Sequence, residues 1–165
     1  MNLLIVDDEY LVVEEVVTVT DWELLGITEI YSATNAVSAV RILNEKKIDI
    51  MICDIEMPQT DGLELSKKAK ENFPDLEIVM LTSHAEFNYV RNALRYGCYD
   101  YLLKPVMEDD IIKVMKNLVT KIERERHQAQ LQEEGIVWNQ LKPVWKEKYW
   151  EEMLRGLRDL SLIHI

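Results

Sequence analysis

The chain has 165 residues, of which 48% are hydrophobic and 30% are charged, with only five glycines and four prolines. This composition supplies the core of about one domain and excludes disordered and collagen-like chains. The formal net charge is −11, and residues 1–60, with 12 acidic and 3 basic side chains, contribute −9 of it. So acidic a chain is a poor ligand for the nucleic acid backbone, because phosphate binding depends on lysine and arginine.

The start of the chain predicts neither a leader peptide nor a membrane span. A short apolar run leads directly into Asp7, Asp8 and Glu9, without the basic start and long apolar stretch of a signal peptide. Two cysteines, Cys53 and Cys98, are too few for a disulfide framework, and Cys53 is expected to be a small buried residue. We therefore expect a cytoplasmic protein without a membrane partner.

Short apolar runs alternate with longer helical patterns in the first two thirds of the chain. Each run is too short for a helix and too continuously apolar for a strand with one wet face. The predicted strands are residues 3–6, 29–32, 48–53, 77–81 and 99–103. The predicted helices begin near Tyr10, Asn35, Asp61, Ser83 and Met107.

Several of these helices have recognisable ends. Asn35 is a favourable N-cap residue. Asp61 with Glu64, and Ser83 with Glu86, have the spacing of a capping box, in which two side chains satisfy free N–H groups at the helix start. The fourth helix is expected to end near residue 96, because a glycine follows.

Five consecutive strand–helix units predict an α/β fold with a parallel sheet covered on both faces. Because crossover connections are right-handed, few topologies remain. The natural candidate is the doubly wound, flavodoxin-like order 2-1-3-4-5, with a ligand crevice at the carboxyl ends of strands 1 and 3.

An extended helical segment is predicted to follow the sheet. Polar residues 123–134 prolong the last helix, Gly135 is expected to break it, and a second helix is expected to begin near Pro143. Trp145 and Trp150 would lie on the apolar face of that second helix. The apolar stripe that starts the segment consists of Ile111, Met115, Leu118 and Ile122.

We divide the chain into a domain at residues 1–122 and a helical linker at residues 123–165. The last six residues are mostly apolar and contain no stop signal such as glycine or proline. We therefore expect the linker to be the start of a longer output region that is missing here.

Acidic and phosphate-binding residue types follow the predicted strands. Asp7 and Asp8 come after strand 1 and Asp54 after strand 3, so three carboxylates should converge, although like charges about 4 Å apart repel by roughly 4 kcal/mol. A hard cation such as Mg²⁺ relieves that repulsion. Thr82 and Lys104 end strands 4 and 5 and complete a site suited to a carboxylate that accepts a phosphoryl group.

These motifs resemble the receiver domain of two-component response regulators, over residues 1–122. Any one of the motifs is weak, but all of them in this order at the strand ends are specific. They are Asp7-Asp8, Asp54-Ile55-Glu56-Met57-Pro58-Gln59-Thr60-Asp61-Gly62, Leu81-Thr82-Ser83 and Tyr101-Leu102-Leu103-Lys104-Pro105.

The resemblance implies that Asp54 is the phosphoacceptor of a sensor histidine kinase. Mg²⁺ would be bound by Asp8, Asp54 and the backbone carbonyl of Glu56, with Asp7 acting through water. Such a domain is a phosphoacceptor with self-catalysed phosphoryl transfer and slow autodephosphorylation rather than an enzyme.

The resemblance also implies a switch. Lys104 would hold the phosphoryl group next to a cis Lys104-Pro105 peptide, Thr82 would move toward the phosphate, and Tyr101 would turn inward behind it. Two flanking residues, Glu56 and His84, would tune the lifetime of the phosphorylated state.

The output implied is a homodimer of a transcription regulator. Dimerisation would use the face of helix 4, strand 5 and helix 5, or the helical linker. Residues 138–156 resemble the linker of regulators that end in an AraC-type DNA-binding domain, and DNA would be bound only by such an output domain, which is absent from this chain.

Three other functions remain open. A phosphatase of the haloacid dehalogenase type also uses an aspartate nucleophile and Mg²⁺, but its two aspartates are separated by one residue. A flavodoxin-like cofactor binder would need a phosphate loop where Asp7-Asp8-Glu9 stands. A single-domain signalling receiver would have no DNA-binding output.

Overall fold

The computed structural model describes residues 1–84 and 87–163, without the side chains of residues 87–90, 141–154 and 156–163. Within these ranges strands and helices alternate as predicted, and a 3₁₀ turn, Glu23–Leu25, follows the first helix. The elements are β1 (Asn2–Val6), α1 (Tyr10–Thr18), β2 (Glu29–Ala33), α2 (Ala36–Glu45), β3 (Ile50–Asp54), α3 (Gly62–Asn72), β4 (Glu77–Thr82), α4 (Phe87–Arg95), β5 (Asp100–Leu103) and α5 (Glu108–Ile163).

The five strands form one parallel sheet in the order β2-β1-β3-β4-β5, which confirms the predicted topology. β3 begins at Ile50, two residues later than predicted, and includes Asp54 as its last residue. Every residue of β3 and β4 is buried, because helices cover both faces of a doubly wound sheet. Because all strand pairs are parallel, the carboxyl ends of the five strands lie at one edge of the sheet.

The core explains why these strands are continuously apolar. One cluster of buried side chains contains Leu4, Met51, Cys53 and Met80, and Tyr101 packs against it while still partly exposed. The apolar stripe at the start of α5 is also fully buried, as the sequence predicts; it includes Ile111, Met115 and Leu118.

Helix ends agree in part with the predicted caps. The Asn35 side chain accepts a hydrogen bond from Ser38 N at 2.8 Å, and Asp61 accepts one from Leu63 N at 2.9 Å. Glu64, expected to complete a capping box, instead contacts Lys68 at 2.8 Å. The predicted Ser83–Glu86 box lies partly outside the described residues, and α4 begins at Phe87. The fourth helix ends as predicted, with Gly97 following in the left-handed conformation.

The predicted break at Gly135 and the predicted second helix at Pro143 are wrong, because α5 is continuous over Glu108–Ile163. A glycine inside a helix costs only about 1 kcal/mol relative to alanine, too little to end a helix with good helix formers on both sides. The predicted apolar face with Trp145 and Trp150 lies outside the described side chains.

The chain divides into two compact units, Met1–Thr120 and Lys121–Ile165. The second unit exposes large apolar side chains, namely Leu131, Ile136, Val137 and Trp138. Among the described residues, no helix combines the length and the hydropathy that crossing a membrane requires.

Candidate functional site

The carboxyl edge of the sheet brings together the residues singled out from the sequence. Asp54 and Thr82 are the last residues of β3 and β4, and Asp7 and Lys104 directly follow β1 and β5. The backbone holds this edge in register, because Asp7 N donates to Ala33 O at 3.1 Å and Lys104 N donates to Thr82 O at 2.9 Å. Four separate strands therefore position one site.

The ammonium group of Lys104 lies between two buried carboxylates. Its Nζ is 2.6 Å from Asp7 Oδ2 and 3.1 Å from Asp54 Oδ1. The contact with Asp7 lacks the angles of a regular hydrogen bond, so within the described part of the chain that buried oxygen is paired by charge alone. Asp7 Oδ1, in contrast, accepts a hydrogen bond from Glu9 N at 2.9 Å.

Three carboxylates share this pocket with one lysine. One oxygen from each of Asp7, Asp8 and Asp54 lies within 4.8 Å of the other two, and Asp8 is exposed whereas the other two are buried. At this separation two charges repel by about 3.5 kcal/mol at an effective dielectric of 20. The donor set of hard oxygens, open to water on the side of Asp8, fits Mg²⁺, which retains part of its hydration shell.

Burial and the neighbouring charges shift the pKa values of Asp54 and Lys104 in opposite directions. Burial raises the pKa of Asp54, and the opposing effect of Lys104 does not cancel it. Burial lowers the pKa of Lys104, but the close contacts with the charged Asp7 and Asp54 outweigh burial, so that pKa is raised. The lysine therefore stays charged, and the Asp54 carboxylate is more basic than an exposed aspartate.

Thr82 and Tyr101, the residues expected to form the switch, have contacts of their own. The Thr82 hydroxyl donates to the His84 carbonyl at 3.0 Å and accepts from His84 N at 3.1 Å, so it is bonded to the segment after β4. Tyr101 packs against the core with part of its ring exposed. The Lys104-Pro105 peptide is cis, as the resemblance implied.

Glu56 and His84, each two residues beyond a residue of the site, contact each other. His84 Nε2 lies 3.5 Å from Glu56 Oε1, and both side chains are substantially exposed. This contact joins the segment after β3 to the segment after β4. The sequence placed both residues beside the site, but nothing in it showed that they touch each other.

The two cysteines take no part in this chemistry. Cys53 and Cys98 are both buried and unbonded to each other. Burial raises the pKa of the Cys98 thiol to about 11 and raises that of Cys53 further above its usual range. Both thiols are therefore protonated and unreactive near neutral pH.

Comparison with known families agrees with this geometry. The family model for the response regulator receiver domain matches residues 3–116. This chain belongs to the response regulator receiver family. The receiver domain is a signalling module of two-component systems.

Relatives of this receiver domain include transcription regulators. The uncharacterized transcriptional regulatory protein YesN of Bacillus subtilis is 31% identical over 97% of this chain and 44% of its own length. The response regulator SaeR of Staphylococcus aureus is 32% identical over 77% of this chain and 54% of its own length. The chain thus spans about half the length of these two relatives.

Solved structures show the same fold. The receiver domain of AraT, a response regulator from Geobacillus stearothermophilus, superposes with a TM-score of 0.71 at 30% identity, over 76% of this chain and 97% of that one. A two-component transcriptional regulator AraC from Clostridium phytofermentans has a TM-score of 0.71 at 23% identity, over 76% and 98% of the two chains, and supports the fold alone.

One residue of the quoted motifs was given no role by reasoning from the sequence. Gly62, the first residue of α3, lies directly against the backbone carbonyl of Asp54. The available signal was a glycine directly after the N-cap Asp61, at a position where a helix gains nothing from glycine.

Proposed function

We propose that this receiver domain accepts a phosphoryl group on Asp54 from a sensor histidine kinase. The observation that carries the proposal is the contact of Lys104 with both Asp7 and Asp54 at the sheet edge, beside the exposed Asp8. In this proposal Mg²⁺ is held by Asp8, Asp54 and the carbonyl of Glu56, with Asp7 acting through water.

The transfer follows from the charges in the pocket. An oxygen of the Asp54 carboxylate attacks phosphorus, the bond from phosphorus to the imidazole nitrogen of the donor breaks, and that nitrogen keeps the electron pair. The Lys104 ammonium, already 3.1 Å from Asp54 Oδ1, neutralises oxygens of the transferring group. When bound, Mg²⁺ supplies further neutralisation of the same oxygens.

The proposed movement of Thr82 toward the phosphate costs a hydrogen bond between its hydroxyl and the His84 backbone. For the Thr82 hydroxyl to donate to a phosphoryl oxygen, it must give up the hydrogen bond that it donates to the His84 carbonyl, because it has only one proton. The His84 carbonyl then loses this hydrogen bond, and Tyr101 becomes more buried behind the threonine. New charge-assisted hydrogen bonds to phosphate, which are about twice as strong as neutral ones, offset the loss.

We further propose that Glu56 and His84 tune the lifetime of the phosphorylated state. Their side chains are 3.5 Å apart, and each follows a residue of the site by two positions, so in this proposal they act on the approach of water to the phosphoryl group. Replacing each by alanine should change the rate of dephosphorylation. An unchanged rate in both Glu56→Ala and His84→Ala would contradict this part of the proposal.

The proposed output is a homodimeric transcription regulator with a receiver at residues 1–122 and a helical linker at residues 123–165. Its relative YesN is named as a transcriptional regulatory protein. Two surfaces could form the dimer. The α4–β5–α5 face exposes Leu94, Tyr96, Leu103 and Met107, and the linker exposes Leu131, Ile136, Val137 and Trp138.

Two substitutions, one on each surface, distinguish the two candidate dimer interfaces. Sedimentation of the beryllofluoride-treated protein should show a dimer that either Leu103→Glu or Leu131→Glu abolishes, according to the surface used. A monomer before and after beryllofluoride would contradict dimerisation. DNA binding is assigned to an output domain, which a helix-turn-helix pattern in the reading frame after residue 165 would support and a stop codon would contradict.

The central test is uptake of phosphate from acetyl phosphate. With Mg²⁺, mass spectrometry should show one phosphoryl group per chain, lost with EDTA and lost in Asp54→Asn. Asp49→Asn is the matched control, because Asp49 is a buried aspartate at the opposite end of β3. Uptake that persists in Asp54→Asn would refute the assignment of the acceptor.

The same assay addresses the alternative of an aspartate-nucleophile phosphatase. Such an enzyme would release phosphate from small esters over many turnovers, whereas a receiver retains a single phosphoryl group and loses it slowly. The directly adjacent Asp7 and Asp8 favour the receiver, since that class of phosphatase separates its two aspartates by one residue.

A further inference from the structure

We infer that Gly62 is a positioning residue for the phosphoacceptor site, because its missing side chain lets α3 close directly on the backbone of Asp54. A Cβ atom at this position would lie 1.8 Å from the Asp54 carbonyl oxygen, 2.8 Å from its carbonyl carbon and 3.0 Å from Ile55 Cα. All three neighbours are backbone atoms, which cannot move aside as the end of a flexible side chain can. The inference rests on the proposed function of Asp54.

The glycine is required here for space rather than for backbone freedom. Positive φ angles among the glycines occur at Gly26 and Gly97, not at Gly62. Its φ angle is one that any residue can adopt, so the backbone conformation does not require a glycine there. The close approach to Asp54 is the remaining physical reason for a glycine.

The contact is one of several that hold the acceptor backbone from different sides. Gly62 N donates to the Ile55 carbonyl at 2.9 Å, and Met57 N donates to the same oxygen at 3.3 Å. From the opposite side Ile55 N donates to Leu81 O at 3.0 Å. The peptide after Asp54 is therefore clamped between α3 and β4.

This clamp acts on two of the proposed cation ligands at once. The backbone from Asp54 to Glu56 carries the Asp54 carboxylate at one end and the Glu56 carbonyl at the other. Displacing the Asp54 carbonyl changes their separation, and hard cations with strict geometry tolerate such changes poorly. Asp61 supports the same turn, because its side chain caps Leu63 N at 2.9 Å.

The test compares Mg²⁺ binding by the full chain and its variants, measured by titration calorimetry with MgCl₂ alone. Gly62→Ala should raise the dissociation constant at least tenfold. Ala69→Gly, which weakens α3 at a buried position away from Asp54, should stay within twofold of wild type. Gly135→Ala, where a Cβ meets nothing within 4 Å, controls for the exchange of glycine for alanine.

A second readout separates positioning from general destabilisation. In Gly62→Ala the Mg²⁺ concentration that half-saturates phosphate uptake from acetyl phosphate should rise in parallel, while saturating Mg²⁺ restores most of the rate. A folded Gly62→Ala that binds Mg²⁺ within twofold of wild type overturns the inference. Absence of Mg²⁺ binding by wild type overturns the proposed function itself, and the inference with it.

Asp61 keeps the inference testable if Gly62→Ala does not fold. Asp61→Ala removes the cap of the same turn and should weaken Mg²⁺ binding three- to tenfold, whereas Asp61→Asn, which keeps a capping oxygen, should restore it. Equal Mg²⁺ affinity in Asp61→Ala and Asp61→Asn would overturn the inference.

Discussion

Replacing Asp54 by asparagine should stabilise this receiver domain when no divalent cation is present. The attraction between Asp54 and Lys104, 3.1 Å apart, is about 5 kcal/mol at an effective dielectric of 20. Repulsion between Asp54 and Asp7, whose oxygens lie within 4.8 Å of each other, opposes this attraction by about 3.5 kcal/mol. The exposed Asp8 adds a smaller repulsion that water and salt screen. Repulsion therefore cancels most of the attraction.

Burial therefore decides the sign. It raises the pKa of Asp54 above the ordinary 3.8, and the charge of Asp7 adds to the rise, against the opposing effect of Lys104. The folded state then binds the Asp54 proton more tightly than the unfolded state. The charged carboxylate costs stability above the folded-state pKa, and this cost disappears as the pH falls below 3.8.

We expect a gain of about 1–2 kcal/mol in the free energy of unfolding at pH 7, since a buried charge whose pairing is offset by repulsion retains part of its desolvation penalty. For a domain of this size the gain corresponds to a melting temperature roughly 3–8 °C higher. The difference between wild type and Asp54→Asn should shrink as the pH is lowered from 7 toward 4.

Urea titrations in EDTA at several pH values measure this difference. Asp49→Asn serves as control, because Asp49 is buried but accepts a hydrogen bond from Asn2 N at 2.7 Å, and it should not stabilise the protein. If Asp54→Asn proves less stable than wild type at pH 7 in EDTA, the attraction of Lys104 exceeds burial and repulsion together, and the reasoning fails.

Three further substitutions test the fold outside the pocket. Gln59 has a φ of 72°, so Gln59→Gly should raise the free energy of unfolding in urea by up to about 1 kcal/mol, and any decrease would speak against backbone strain there. Trp22→Phe removes the indole N–H that donates to Val16 O and Val17 O and should cost about 1–2 kcal/mol in the same titration; an unchanged stability would show that these bonds contribute nothing. Met115→Ala, at a fully buried position of α5, should cost about 2–5 kcal/mol by thermal unfolding, and a cost below about 1 kcal/mol would mean that this turn packs loosely.

The order of elements followed from local patterns in the sequence. Short apolar runs predicted the strands, and the cap residues Asn35 and Asp61 predicted two helix starts that the structure confirms. Such signals are local, because the apolar pattern of a strand and the cap of a helix each involve only a few neighbouring residues in the chain. Strand ends were less well predicted, since β3 starts where pairing with Leu3 begins, at Ile50.

The long helix shows where local signals fail. Gly135 and Pro143 are weak and strong helix breakers respectively, and both lie inside α5. Whether a helix continues through such residues depends on the summed propensity of the neighbouring turns, which no single residue reveals.

By itself, the sequence determined that acidic residues end strands 1 and 3 and that lysine and threonine end strands 5 and 4. Only the tertiary structure decided that Lys104 contacts Asp7 and Asp54 together and that Thr82 is bonded to His84. The same holds for the contact of Gly62 with the Asp54 carbonyl. The physical reason is that residue type and spacing report burial and local conformation. The distance between side chains on different strands depends instead on strand order, register and the path of the loops.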